Sequence, residues 1–348
     1  MYINFRHTAF VFKNLGLLTY IIMNVNMKLN MEHTKKKSKP VIIIVAGPTC
    51  VGKTSAAIKL TQQFGGEIIG ADAMQIYRHM NIGTAKPTPQ ELSQAKHHMV
   101  DIVDPDESFD ASRYAKIAKP IIEDLHIKNV PVFVVGGSGL YIKTLTQGLF
   151  QQAPGNPSIR QKYKQMASKH GNAHLYSLLQ KNDPESASSI HPNDLVRIIR
   201  ALEVFEITGV SIKKHHQTHQ FSERPYQMFK IMLSESREYL YKRINQRVDI
   251  MIQNGFLKEV QSLIEMGYNC QLNSMQSIGY KHLCAYLNNN FSWDETVQLI
   301  KRDTRRYAKR QFTWFRSDKE YNWTNSREIN TLHSQIENFL STKTNTKK

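Results

Sequence analysis

The residues best suited to chemistry are Gly47, Pro48, Thr49, Cys50, Val51, Gly52, Lys53 and Thr54, which carry the G-x-x-x-x-G-K-[ST] spacing of a phosphate-binding loop. Glycines let consecutive backbone N–H groups turn inward around phosphate oxygens, and a helix that follows adds the positive end of its dipole. Lys53 would reach the terminal phosphates. Thr54 would set a hydroxyl on Mg²⁺, which completes its shell with water and phosphate oxygens. Such a loop needs a buried strand before it and a helix after it; the apolar run Val41 to Val45 and the helix-compatible Ser55 to Phe64 supply both. Without those flanks the pattern would read as an incidental glycine-rich turn. A P-loop identifies a phosphate and leaves the reaction open.

Two further stretches would meet the loop in a parallel sheet. Gly66 to Ala71 reads as a short strand ending at Asp72, an acid at the carboxyl edge where open α/β sheets bind ligands. Asp72 is equally readable as a turn former or helix cap. Val130 to Val135 is a second strand candidate, running into Gly136, Gly137, Ser138 and Gly139. An ordinary P-loop NTPase carries an acid near such a strand end to hold Mg²⁺. Glycines stand there instead, which counts against an ordinary ATPase, and Asp101 and Asp104 follow only a weak apolar run and read as loop residues.

The 348 residues suffice for one large or two smaller domains, and 41% hydrophobic with 22% charged residues argues against global disorder. Lys and Arg number 46 against 29 Asp and Glu, and the net charge of +17 favours a polyanionic partner such as nucleic acid, with a basic surface kept for solubility as the alternative. Cys50, Cys270 and Cys284 form no C-x-x-C pair, so neither a disulfide framework nor a zinc knuckle is expected, and a reducing cytoplasm fits. Residues 1–39 read as a leader, disordered or not native. Its apolar stretch from Ala9 to Val25 is broken by Lys13, Asn14 and Thr19, too interrupted for a membrane span, and no small-x-small cleavage site follows.

Residues 148–225 read as a helical insertion that opens with the linker Gly148 to Pro157 and is punctuated by Asp183-Pro184 and His191-Pro192. Within it Leu195, Ile198, Ile199 and Leu202 form an apolar stripe, while Arg197 and Arg200 share another face suited either to phosphate contacts or to pairing with Glu203. His215, His216 and His219 lack the glutamate of a zinc motif and read as a basic loop. After a strand at Gln227 to Leu233, Leu240, Ile244 and Val248 mark a helix flanked by Arg243 and Arg247, either able to stabilise charge on a departing phosphate. Gln276 to Lys281 sets a glycine beside Tyr280 and Lys281, a composition for base stacking or for an ordinary helix–helix turn. The last helix, Val297 to Arg316, carries Lys301, Arg302, Arg305, Arg306, Lys309, Arg310 and Arg316 against Asp303, a phosphate-backbone footprint. Ile300, Tyr307, Ala308 and Phe315 form its inward stripe.

Taken in order, GPTCVGKT, ADAMQIYRHMNIGTAKP, GGSGLY, HPNDLVRIIRALEV, RINQRVDIM, QSIGYK and DTRRYAKRQFTWFR resemble the successive motifs of the tRNA dimethylallyltransferase family, over about Pro40 to Arg316. The expected fold is α/β, a P-loop nucleoside-triphosphatase-like parallel sheet flanked by helices. Its catalytic core would span 40–147 and 226–317, with a helical tRNA-binding insertion at 148–225 and a tail at 318–348. The resemblance implies transfer of a dimethylallyl group from dimethylallyl diphosphate to N6 of the adenosine immediately 3′ of the anticodon, in tRNAs reading UNN codons.

On that likeness Gly47 to Thr54 hold the donor diphosphate, with Mg²⁺ at Thr54. Asp72 is the general base, joined in catalysis by Ser138, and Arg247 stands near the leaving diphosphate. Contacts with tRNA fall to Asp72, Ala73, Met74 and Gln75, to Ser138 and Arg160, to Val196, Arg197, Ile198, Ile199 and Arg200, and to Gln276, Ser277, Ile278, Gly279, Tyr280 and Lys281. The implied enzyme is a cytoplasmic monomer that grips the anticodon stem-loop of tRNA and needs no membrane. Two positions depart from the family pattern: Ala73 stands where serine is usual, losing a hydroxyl, and Ser138 stands where threonine is usual, keeping one. Two other readings stand beside this one, a nucleotide kinase using ATP and a basic RNA-binding module with a relic P-loop.

Overall fold

Val41–Ala46 (β1) is buried at every position, the pattern of a strand covered on both faces. The structure, a computed structural model, describes residues 39–148, 155–219 and 223–341. The leader apart from its last residue, linker residues 149–154 and the final seven residues of the tail, 342–348, lie outside that description. Around β1 stand β2 (Glu67–Ala71), β3 (His97–His98), β4 (Val132–Gly136), β5 (Gln227–Ser234) and β6 (Asn322–Asn325). They form one sheet in the order β3-β2-β4-β1-β5-β6, with every pairing parallel. This is the α/β architecture expected from the sequence.

Parallel neighbours need crossovers, and helices provide them. These are α1 (Lys53–Phe64), the short α2 (Pro89–Gln94), α3 (Ala111–Ile127) and α4 (Gly139–Gln147). One face of the sheet packs Ile42, Ile44 and Val134 against Tyr114, Ile122 and Leu145 of α3 and α4. The other face packs Ile43, Val45 and Ile231 against Ala57 and Leu60 of α1. Between α4 and β5 lie α5 (Pro157–His170), α6 (Asn172–Asn182), α7 (Pro184–Ala187), α8 (Leu195–Thr208) and α9 (Ile212–His219). They bury their own core of Tyr163, Leu175, Leu179, Ile198 and Leu202. The histidine-rich stretch read as a loop is helical, as α9.

After β5 come α10 (Arg237–Gln253), α11 (Phe256–Glu265), α12 (Tyr280–Leu287) and α13 (Trp293–Arg316). They close a further core of Val248, Phe256, Leu263, Tyr280 and Ile300 that reaches Ile76 and Tyr77. Two expectations need correction here. The segment read as a tail supplies strand β6, a 3₁₀ turn at Ser326–Leu332 and α14 (His333–Ser341), and Ile329, Leu332 and Ile336 join the core beside α1. Buried Lys230 of β5 fastens this segment through Asp318 at 2.7 Å and Glu320 at 2.6 Å. Cys270 and Cys284, expected to be independent, are joined as a disulfide, because the chain folds back between α11 and α12 and brings them together across the Gln276 to Lys281 turn.

Candidate active site

Ala46 of β1 and Ala71 of β2 both lie opposite Gly136 of β4. Gly47, Asp72 and Gly137 therefore leave three adjacent strands at one level, at the carboxyl edge. The phosphate loop turns into α1 at Gly52, whose left-handed φ of 99° suits glycine, and no side chain caps the helix. Its first-turn N–H groups are thus available to an anion. Lys53 folds back over the loop, Nζ donating to the Pro48 carbonyl at 2.9 Å. Burial lowers its pKa to about 8; the Asp72 carboxylate works against that shift, and the Arg247 charge adds to it. Arg243, one turn before Arg247 on α10, brings Nη1 to 3.9 Å from where a Cβ on Gly52 would lie. Both arginines of the α10 pair consequently stand near the loop, although the family likeness pointed to Arg247 alone.

Asp72 is a turn former, as one of its readings expected, and it stands at the sheet edge. Its Oδ1 accepts from the N–H groups of Met74 at 2.8 Å and Gln75 at 3.4 Å, a turn that fixes the carboxylate at the sheet edge. Ser138, the first residue beyond Gly137, accepts at Oγ from the Ala73 N–H at 2.9 Å, and its own N–H donates to Ala71 at 3.1 Å. Tyr307 of α13 stands beside the Ser138 side chain. Its phenol is held above the ordinary range, first by burial and then by the Asp72 charge, so it stays a neutral hydroxyl.

The glycines at the end of β4 have a steric cause. A Cβ on Gly136 would lie 2.0 Å from the Ala71 carbonyl oxygen, and one on Gly137 would lie 2.1 Å from Gln311 Nε2. No acid fits there. Gln311, from α13, is buried and spans the site: its Oε1 accepts from the Thr49 N–H at 2.9 Å, and its Nε2 donates to the Gly137 carbonyl at 3.1 Å. Sequence reading passed over it, and the available signal was its position four residues after Tyr307 on the inward stripe. Glu259 of α11 was also missed. Its carboxylate accepts from the N–H groups of Asn81, Ile82 and Gly83 at 2.9, 2.7 and 3.1 Å and from the Tyr280 hydroxyl at 2.7 Å, pinning the loop after Asp72 to the helical layer.

The IPP transferase family model matches residues 75–318. The chain belongs to that family. Among its relatives, the tRNA dimethylallyltransferase of Desulfosudis oleivorans is 49% identical over 84% of this chain and 93% of its own length. The enzyme named tRNA dimethylallyltransferase 2 in Syntrophus aciditrophicus is 49% identical over 82% and 92%. Of solved structures, the tRNA isopentenylpyrophosphate transferase of Bacillus halodurans superposes with a TM-score of 0.66 at 36% identity, covering 88% of this chain and 99% of its own. A eukaryotic dimethylallyltransferase captured acting on tRNA gives 0.64 at 30% identity, covering 79% and 69%.

The residues matched to the family's tRNA contacts divide sharply. Ile198 and Ile199 are buried in the insertion's core, and Tyr280 is wholly buried edge-on against Phe256, with ring centroids 4.9 Å apart, so the side chains of these three are packed inward. Gly279 is likewise buried. Met74 packs against the helical core, and Gln75 Nε2 donates to the carbonyls of Thr84 at 3.3 Å and Ala85 at 3.0 Å, shaping the loop. Val196 is 80% exposed and Gln276 is exposed. Arg197 leans on Asp194 at 3.3 Å, while Arg160 and Arg200 converge on the fully buried Glu203. Burial alone would raise the Glu203 pKa; hydrogen bonds from Arg200, the Asn156 N–H and Arg160 bring it below the usual carboxylate value. Lys281 stands 3.8 Å from Asp303, whose carboxylate also receives Arg302 and Arg306. On α13, Lys301 pairs with Asp249 and Arg305 with Asn245, each at 2.6 Å, while Lys309, Arg310 and Arg316 are exposed.

Proposed function

We propose that this chain transfers the dimethylallyl group of dimethylallyl diphosphate to N6 of the adenosine immediately 3′ of the anticodon in tRNAs reading UNN codons. One observation carries the reading: a phosphate loop and a fixed carboxylate leave one sheet edge at the same level, while the strand between them ends in glycines that leave no place for an acid. The relatives' shared activity supports it. So does the cationic α13, as a surface for a nucleic-acid backbone.

In this reading the first-turn amides of α1 and Lys53 hold the diphosphate, and the target base leaves its stack to reach the edge beside Asp72. The N6 lone pair is delocalised into the adenine ring, so attack improves when Asp72 accepts the N6 proton. The N6–C1 bond forms, the C1–O bond breaks, and its electron pair departs on the diphosphate, where Lys53 and Arg247 balance the growing charge. The Thr54 hydroxyl, in the first turn of α1, suits a hard cation that takes oxygen ligands, and bound Mg²⁺ there would neutralise phosphate charge. Ala73 contacts Ser138 through its backbone N–H, so the serine it replaces is not needed for that link. No helix among the described residues is long and apolar enough to cross a membrane, and the reading places a monomer in the cytoplasm.

Labelled dimethylallyl diphosphate, Mg²⁺ and unmodified tRNA, followed by digestion to nucleosides, should yield labelled N6-isopentenyladenosine. Asp72→Ala should lower turnover by at least about 10²-fold, the scale of general-base catalysis, while leaving tRNA affinity intact. Near-normal turnover in that variant would remove Asp72 as the base. Phosphoryl transfer from ATP to a nucleoside would indicate a kinase instead.

A further inference from the structure

We propose that Gln311 is a positioning residue that sets the separation between the leaving-group loop and the base, an inference that rests on the transfer reading above. Its side-chain amide bridges the two halves directly. Oε1 takes the Thr49 N–H of the phosphate loop at 2.9 Å, and Nε2 gives to Gly137 at 3.1 Å. From Gly137 the link runs one residue to Ser138, whose hydroxyl holds Ala73, next to Asp72. The amide is buried, and Gln311 lies 262 residues along the chain from Thr49, so no local turn can substitute for it. Glutamine is the residue type that satisfies both ends: one acceptor faces an N–H and one donor faces a carbonyl.

Displacement at C1 needs the adenine nitrogen and the departing oxygen on opposite sides of one carbon. The distance between the elements carrying them therefore enters the rate directly, and a misplacement of about 1 Å can lower it by about 10²-fold. Gln311 touches no reacting atom in this scheme. It acts by fixing where the loop and the strand end stand.

Two variants break the bridge from opposite sides. Gln311→Met keeps the length and the apolar stem without the hydrogen bonds. Gly137→Ala keeps the amide but places a Cβ 2.1 Å from Nε2, forcing it aside. We expect each to lower kcat by about 10- to 100-fold, with tRNA dissociation constant and melting temperature near those of the wild type. The double variant should fall little further than either single one, because both remove the same link. Independent, multiplying losses, or a Gln311→Met enzyme with kcat within threefold of wild type, would overturn the proposal. Should Gln311→Met lose its fold, Gly137→Ala and Gln311→Glu decide: the latter keeps the acceptor toward Thr49 while turning a second acceptor toward the Gly137 carbonyl, and wild-type kcat in both would overturn it. Wild-type turnover reports on the transfer reading itself, whereas the variant-to-wild-type ratio and the non-additivity report on Gln311.

Discussion

The phosphate loop and helix α8 of the insertion both collect cationic side chains around a carboxylate, yet they handle charge in opposite ways. In the phosphate loop Lys53 is desolvated until its pKa falls to about 8, a cation suited to the incoming diphosphate of the proposed reaction. In the insertion the anion is built in: Glu203 is fully buried and already receives Arg160 and Arg200. A partly exposed, desolvated cation suits an arriving anion, whereas a buried carboxylate with two arginines is a clamp that holds α5 to α8 and orients what remains exposed.

The comparison can be broken first at Lys53. Lys53→Met should lower kcat/KM by about 10²- to 10³-fold, as for loss of one preorganised charge on a leaving group, with tRNA binding unaffected. The sign of its pH dependence follows from the lowered pKa. The diphosphate binds the charged lysine, so calorimetric affinity for inorganic pyrophosphate, taken relative to Lys53→Met, should hold below pH 8 and fall as the pH rises through it.

Glu203→Ala sharpens the contrast from the other side. It removes the acceptor that the Asn156 N–H, Arg160 and Arg200 share and should destabilise the insertion by about 2 kcal/mol, less than a fully buried pair because Arg160 stays partly in water. Hydrogen exchange should show that loss in α5 and α8 while pyrophosphate affinity stays at the wild-type value. The smallest effect belongs to Arg197→Ala. One exposed phosphate contact should weaken tRNA binding less than tenfold and reduce the salt slope by about one.

What could be read from the sequence was what lies close along the chain. Strand, glycine loop and helix follow one another from Val41 to Phe64, so the phosphate site was visible from spacing alone. The apolar stripe of α8 was visible too, and it already marked Ile198 and Ile199 as inward, although motif matching placed them among tRNA contacts. Gln311 and Glu259 escaped because their partners are brought close only by folding, and a polar residue on an inward stripe does not announce what it bonds. The edge strand β6 escaped for a different reason: Asn322, Trp323, Thr324 and Asn325 are short and polar, and pair on one side only. The disulfide escaped because spacing along the chain gives no pairing without the fold.

The way the chain enters and leaves the insertion has a consequence for its evolution. Gly148, where α4 ends, and Glu223, just before β5, stand side by side: a Cβ on the glycine would lie 2.4 Å from the glutamate's carboxyl carbon. The whole insertion is therefore a closed loop whose ends the sheet has already brought together. Lengthening such a loop is thermodynamically mild, about 0.6 kcal/mol for each doubling of its length. Helices can be added, shortened or exchanged beyond that neck while the sheet keeps its register.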